Sequence, residues 1–314
     1  MKFKELNRLG SQREPFLFIT DFKAKKLEVI LLKDLENHNI EFTINQNNTK
    51  VFTKQSHILK KYPIKYKEYK TKFDKVIEKI KAGETYLLNL TQATKVQTPL
   101  TLKEIFNLVQ APYKLRYKDE FVCFSPEKFI KIESNTIHTY PMKGTIDASI
   151  KNAKDSILSN EKEMAEHVMV VDLLRNDLSI YATDVKVENF RYIDTIEAGE
   201  KQLLQVSSHI SGYLGDNWHE KIGDILQSLL PAGSITGTPK KNTVKIIDEI
   251  EGYDRGYFTG IFGVYDGLEL DSGVMIRFIE KTQDGYIYKS GGGITLDSQS
   301  QSEYNELLDK IYLP

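Results

Sequence analysis

The spacing of apolar positions divides the chain into segments of two periods. Between residues 15 and 54 they come in short bursts. "PFLFITDF" and "LEVILL" flank the turn "KAKK", and "IEFTI" and "KVFT" flank "NQNN", which predicts two pairs of strands. The period then lengthens. Tyr66, Tyr69, Phe73, Val76, Ile77 and Ile80 recur at helical spacing, and Gly83 marks the stop. "TYLLNLTQATKV" predicts a strand, "TLKEIFNLV" a short amphipathic helix, and "FVCFS" and "KFIKIES" two more strands. Residues 160–178 predict a mostly buried helix carrying Met164, Val168, Met169, Val171, Leu174 and Leu178. "KIGDILQSLL" predicts another. A third has Thr238 as N-cap and Pro239 as its first residue, and runs to Gly252. Two Asp-Gly turns, at 266–267 and 284–285, separate the strands "GIFGVY", "GVMIRFIEK" and "YIYKS". The helix "SEYNELLDKIY" closes the chain after Gly291-Gly292-Gly293.

Strands and helices mix along the whole length, with no repeat, low-complexity tract or Pro/Ser-rich linker. This predicts one α+β domain, residues 61–314, with residues 1–60 as a β-rich lobe joined to its edge. Composition narrows the function. Of 314 residues 40% are hydrophobic, enough for a large core, and the net charge is −1, which gives no field for nucleic acid or an anionic membrane surface. The single cysteine, Cys123, excludes an internal disulfide and a Cys-rich metal centre. The N-terminus lacks an apolar signal region, and no apolar run approaches the roughly 20 residues of a membrane span. The expectation is a cytoplasmic protein.

Several residues could carry chemistry. In "HTYPMKGTIDA", Lys143 is either a solvated charge in a turn or a residue held there to react. Glu163 and Glu166 lie three apart on one helix, and Glu303 and Glu306 three apart on another, so each pair projects two carboxylates in one direction. Two such pairs facing each other would suit Mg2+. Each pair also has an ordinary reading: Ser300 and Glu303 form a capping-box pattern, and Glu306 and Lys310 an i,i+4 ion pair. In "PAGSITGTPKK", Gly233 and Gly237 would let backbone amides approach an anion at a helix N-terminus, or form a plain loop-to-helix junction. Walker-type spacing is absent. Arg277, between apolar neighbours on a strand, needs a partner, either a ligand carboxylate or a structural acid. His209, in "QVSSHISGYL", is a proton donor or a satisfied core histidine; His167 orients Glu166 or packs.

Together "SPEKF", "PMKGT", "EKEMAEHVMVVDLLRND", "QVSSHISG", "LPAGSITGTPKKNTVKIIDEIE", "GIFGVYDG", "MIRF" and "GGGITLDSQSQSEYNELLDK" resemble, in order, the chorismate-utilising enzymes over roughly residues 65–313. The resemblance implies a single α+β domain of two packed, mainly antiparallel sheets ringed by helices, with chorismate bound in a cleft. It implies Glu166 and Glu306 as direct Mg2+ ligands, and Glu163 and Glu303 acting through metal-bound water. Arg277, Lys310 and the amides near Gly292-Gly293 would hold a carboxylate of the substrate, and Thr145 and Thr236 would line the pocket. Glu127 would protonate the departing C4 hydroxyl, and His209 would support the ring near C4.

Two positions select a branch of the family. Lys143 stands where the anthranilate and isochorismate branches usually carry alanine; lysine here marks the aminodeoxychorismate branch. There an amine made nucleophilic by burial would attack C2, after which ammonia enters at C4. Leu87 stands where water-adding branches carry a lysine base, which disfavours isochorismate and salicylate formation. Phe258 replaces a frequent Tyr or Trp, and Ser179 a common Gly. The resemblance therefore implies conversion of chorismate and ammonia to 4-amino-4-deoxychorismate, for 4-aminobenzoate and folate synthesis, with anthranilate formation as the alternative. No Cys-His glutaminase arrangement is present, so ammonia would come from a separate glutamine amidotransferase subunit.

Overall fold

The computed structural model describes residues 2–45, 59–198 and 201–313. Two antiparallel sheets organise them. The nine-stranded sheet runs Met142–Asp147, Lys201–Tyr213, Thr136–Thr139, Lys128–Glu133, Leu270–Val274, Ile261–Tyr265, Phe16–Thr20, Leu27–Leu31, with Thr183–Ala198 also paired to Lys201–Tyr213. The eight-stranded sheet runs Gly237–Thr238, Leu87–Gln97, Gly285–Ile294, Phe278–Thr282, Phe121–Ser125, Tyr113–Tyr117, Ile40–Ile44, with Lys60–Tyr62 on Leu87–Gln97. The early strands thus occupy edges of both sheets. The "KVFT" segment lies outside the described residues.

The strand at Phe16–Thr20 shows how the layers pack. All five residues are buried, because alternate side chains face opposite sides of a sheet. Phe16 and Phe18 enter a core with the helices Lys2–Ser11, Glu161–Leu178 and Ile222–Leu229. Leu17 and Ile19 point the other way, onto Tyr113, Leu115, Phe121 and Phe278 of the second sheet. The far face of that sheet is covered by the helices Tyr66–Lys81, Lys240–Glu251 and Ser300–Asp309. Among the described residues, no helix is long and apolar enough to cross a membrane.

Several local expectations change. Lys2–Ser11 is a helix, with Phe3, Leu6 and Leu9 buried on one side. Pro239 is the N-cap of the Lys240–Glu251 helix, while Thr238 belongs to a two-residue strand paired with Leu87. Ser300 caps nothing: it is the first residue of its helix, and its hydroxyl bonds that of Tyr66 at 2.7 Å. In the Glu161–Leu178 helix, Val170, Val171, Leu174 and Leu178 are buried but Met164 and Val168 are exposed, so only one stripe faces the core. The segment "GVMIRFIEK" is not one strand. Leu270–Val274 belongs to the first sheet and Phe278–Thr282 to the second. The chain crosses between them at 275–277, where Arg277 adopts a left-handed φ of 51°. Such a residue has no strand face, so the alternation in the sequence misplaced it.

Candidate active site

The crossover and two helices converge on one strand edge. On Met142–Asp147, Met142 pairs with Ser207 and Thr145 with Gln205. Three steps on one strand thus match two on the other, which puts a bulge at Lys143-Gly144. Gly144 has φ 85°, a conformation glycine adopts freely. Bulges re-aim side chains, and this one directs the Lys143 ammonium onto Glu166 of the Glu161–Leu178 helix in a direct ion pair. Glu166 is buried, and its other oxygen lies 3.4 Å from the Thr295 hydroxyl.

Gly292 and Gly293 mark where the remaining groups meet. A Cβ built on Gly292 would lie 3.2 Å from Glu306 Oε1 and 3.5 Å from Glu303 Oε2. One built on Gly293 would lie 3.3 Å from Lys143 Nζ and 3.2 Å from Leu87 Cδ1. One on Gly144 would lie 3.3 Å from Glu163 Oε2. All four glutamates therefore border a single cleft that contains Lys143. Burial alone would push the Lys143 ammonium down, but Glu166, Glu306 and Glu163 outweigh it and hold the group above the ordinary lysine value. This reverses the expectation that burial makes the free amine.

The donor set matches a hard divalent cation in kind: four carboxylates on two helices, as Mg2+ prefers. In the arrangement described, the carboxylates engage lysines instead. Lys143 holds Glu166, and Lys310 Nζ lies 2.5 Å from Glu306 Oε1. Among the described residues, no three acidic, imidazole or thiol groups converge in a ligating geometry.

Glu127 borders the same cleft from the loop after Phe121–Ser125. Its enclosure pushes the carboxyl upward; the Ser234 hydroxyl, which donates to Oε1 at 2.7 Å, and the charges of Lys310, Arg277 and Lys143 oppose this without cancelling it. An upward shift favours the protonated form, which is the form a general acid uses. The Arg277 guanidinium lies 5.5 Å from the Tyr312 ring, and its buried Nε has no hydrogen-bond partner among the described residues. Lys310 Nζ also donates to the Gly291 carbonyl at 2.8 Å.

Other expected residues play different parts. His209 is on the wrong face of its strand. Its neighbour Ile210 joins the helix-side core, and the Ser208 hydroxyl lies 2.6 Å from His167 Nε2. His209 points away, 3.0 Å from His138 Nδ1 and stacked on Tyr140. Gly233 and Gly237 are closely packed: a Cβ on Gly233 would lie 2.9 Å from Leu173 Cδ2, and one on Gly237 1.8 Å from the Leu87 carbonyl. Thr236 is buried and donates its hydroxyl to the Ala232 carbonyl. Thr145 is exposed one residue beyond Gly144. Phe258 is buried against Phe278. The sequence reading missed Ser234, Thr295 and the buried pair Glu251–Arg255. That pair ties Asn89, Thr91 and Ile235 together behind the site; the i,i+4 spacing of a Glu and an Arg was its only signal.

Comparisons with known proteins identify the family. The family described as chorismate binding enzyme matches residues 14–313, further toward the N-terminus than the motifs alone reach. An uncharacterized PabA-like protein of Haemophilus influenzae is 46% identical over 99% of this chain and 95% of its own. Aminodeoxychorismate synthase component 1 of Salmonella typhimurium is 33% identical over 78% of this chain and 56% of its own, and anthranilate synthase component 1 of Archaeoglobus fulgidus is 33% identical over 76% and 60%. Among solved structures, a putative 2,3-dihydroxybenzoate-specific isochorismate synthase from Bacillus anthracis superposes with a TM-score of 0.73 at 19% identity, covering 98% of this chain and 85% of that one. By motif order, site geometry and family match, the chain belongs to the chorismate-binding enzymes.

Proposed function

We propose that the protein replaces the C4 hydroxyl of chorismate with an amino group, giving 4-amino-4-deoxychorismate and water. One observation carries this reading: Lys143 Nζ and Leu87 Cδ1 both abut Gly293. A primary amine and an apolar side chain therefore share one spot in the cleft. The amine can add to the ring, and leucine cannot activate water there.

The residues divide the work as follows. Once its proton is lost, the Lys143 amine adds at C2, the ring double bonds shift, and the C4–O bond breaks. Glu127 gives its proton to the departing oxygen, which leaves as water. Ammonia adds at C4, the double bonds return, and the C2–N bond breaks to free Lys143. The ammonium formed at C4 gives back the proton that Glu127 lost. Arg277 and Lys310 hold a substrate carboxylate and fix the ring against Lys143. Glu163, Glu166, Glu303 and Glu306 would hold Mg2+, which when bound would neutralise a substrate carboxylate. A glutamine amidotransferase subunit would supply ammonia.

Anthranilate formation is the competing reading, because an anthranilate synthase is as similar as an aminodeoxychorismate synthase. Purified protein with Mg2+, chorismate and ammonium, followed by chromatography, separates them. The expected product is 4-amino-4-deoxychorismate. Anthranilate or isochorismate as the major product would overturn the proposal, and unconsumed chorismate would point to a binding role without catalysis.

A further inference from the structure

Glu127 is held by Ser234, a residue to which the family resemblance assigned no role above. Ser234 lies in the four-residue helix Gly233–Thr236, and its hydroxyl reaches Glu127 Oε1 at 2.7 Å. This helix is fixed on every side. Gly233 packs on Leu173 and Asp177, and Gly237 on the Leu87 carbonyl. Arg255 donates to the Ile235 carbonyl at 3.2 Å, and Thr236 to that of Ala232 at 2.9 Å. The main chain of Glu127 is pinned as well: its amide donates to Ser125 Oγ at 3.0 Å, and its carbonyl accepts from Val274 N at 3.0 Å. Both ends of the Ser234–Glu127 bond are thus anchored to different parts of the fold.

We infer that Ser234 is a positioning residue for the acid step, occupying Glu127 Oε1 so that the transferable proton rides on Oε2. The reason is hydrogen-bond bookkeeping. A hydroxyl that donates to Oε1 leaves that oxygen an acceptor, so the carboxyl proton belongs on the other oxygen. After transfer, the same bond stabilises the carboxylate left behind. Lys310, Arg277 and Lys143 are the charged groups facing Glu127, and all three favour its ionised form. Ser234 is the neutral group with a defined direction among these partners. The inference rests on Glu127 being the acid that expels the C4 hydroxyl, as proposed above.

The test measures chorismate consumption across pH for the wild type, Ser234→Ala and Ser234→Thr, with products identified separately. Ser234→Ala should lower kcat about tenfold with little change in KM, and its alkaline limb should move to higher pH, because a donor to the carboxylate is gone. Ser234→Thr should restore both. In a Glu127→Gln background, Ser234→Ala should have no further effect on kcat. An unchanged kcat and pH limb in a folded Ser234→Ala protein, confirmed by its melting temperature, would overturn the inference. An additive loss in the double variant would do the same. Aminodeoxychorismate and anthranilate formation both expel the C4 hydroxyl. A different product therefore defeats the proposed function and leaves this test intact.

Discussion

At the residue scale, the decisive contact is Lys143 on Glu166. In the proposed reaction, the ammonium that the carboxylates stabilise would have to lose its proton to attack, so charge and reactivity can be separated by substitution. Lys143→Ala should reduce chorismate consumption to background in a steady-state assay. Lys143→Arg should fail to rescue it, since a guanidinium keeps the charge but is always protonated. Activity in the arginine variant would mean that Lys143 acts only as a cation. Glu127 gives a second prediction. As the proposed acid, its carboxyl would have to be protonated to act, and its enclosure raises the pKa. Activity should therefore be retained at lower pH and fall as pH rises through that raised value. Glu127→Gln should lower kcat by about 10²–10⁴-fold and remove the limb.

At the scale of elements, the site depends on glycines and on one buried ion pair. Gly293 belongs to Gly285–Ile294, and a methyl there would press on both Lys143 Nζ and Leu87 Cδ1. Gly293→Ala should cut kcat sharply while circular dichroism shows an intact fold. Glu251 and Arg255 act at longer range. Both are fully buried, and they join the Leu87–Gln97 strand to the helix that carries Ser234. Removing one partner strands the other charge in the interior. Arg255→Ala should cost about 3–5 kcal/mol in urea unfolding, and a cost near zero would mean that water reaches Glu251.

At the scale of the whole molecule, the N-terminal helix is tied to the first sheet through Arg13, His219 and Tyr265. Tyr265 and Arg13 crowd the His219 ring at 2.7 and 2.8 Å. Burial, and then the Arg13 charge, push His219 down to about 4. The unfolded chain binds this proton near pH 6.5. His219 therefore adds stability that is fully present above about pH 6.5 and lost as pH falls toward 4. Thermal melts should show a falling Tm over that window, and His219→Gln should flatten it. A wild-type Tm independent of pH would refute the assignment.

The sequence by itself determined the family and the two carboxylate pairs, and it placed Lys143 and Leu87 at the positions on which the proposed branch rests. These are carried by residue type at fixed local spacing, which a helix or strand preserves. Helix and strand periods also located most elements, because each side that faces a core must be apolar. Tertiary structure alone decided the rest. Arg277 left its apparent strand because the chain changes sheets there. His209 fell on the outer face because strand pairing, not composition, sets which side of a sheet meets the helices. The close packing of Gly233 and Gly237 was invisible because their neighbours, Leu173 and Leu87, lie far away in sequence. The direction of the Lys143 shift was decided the same way: burial lowers its pKa, but Glu166, Glu306 and Glu163, which only the folded chain brings within reach, outweigh burial.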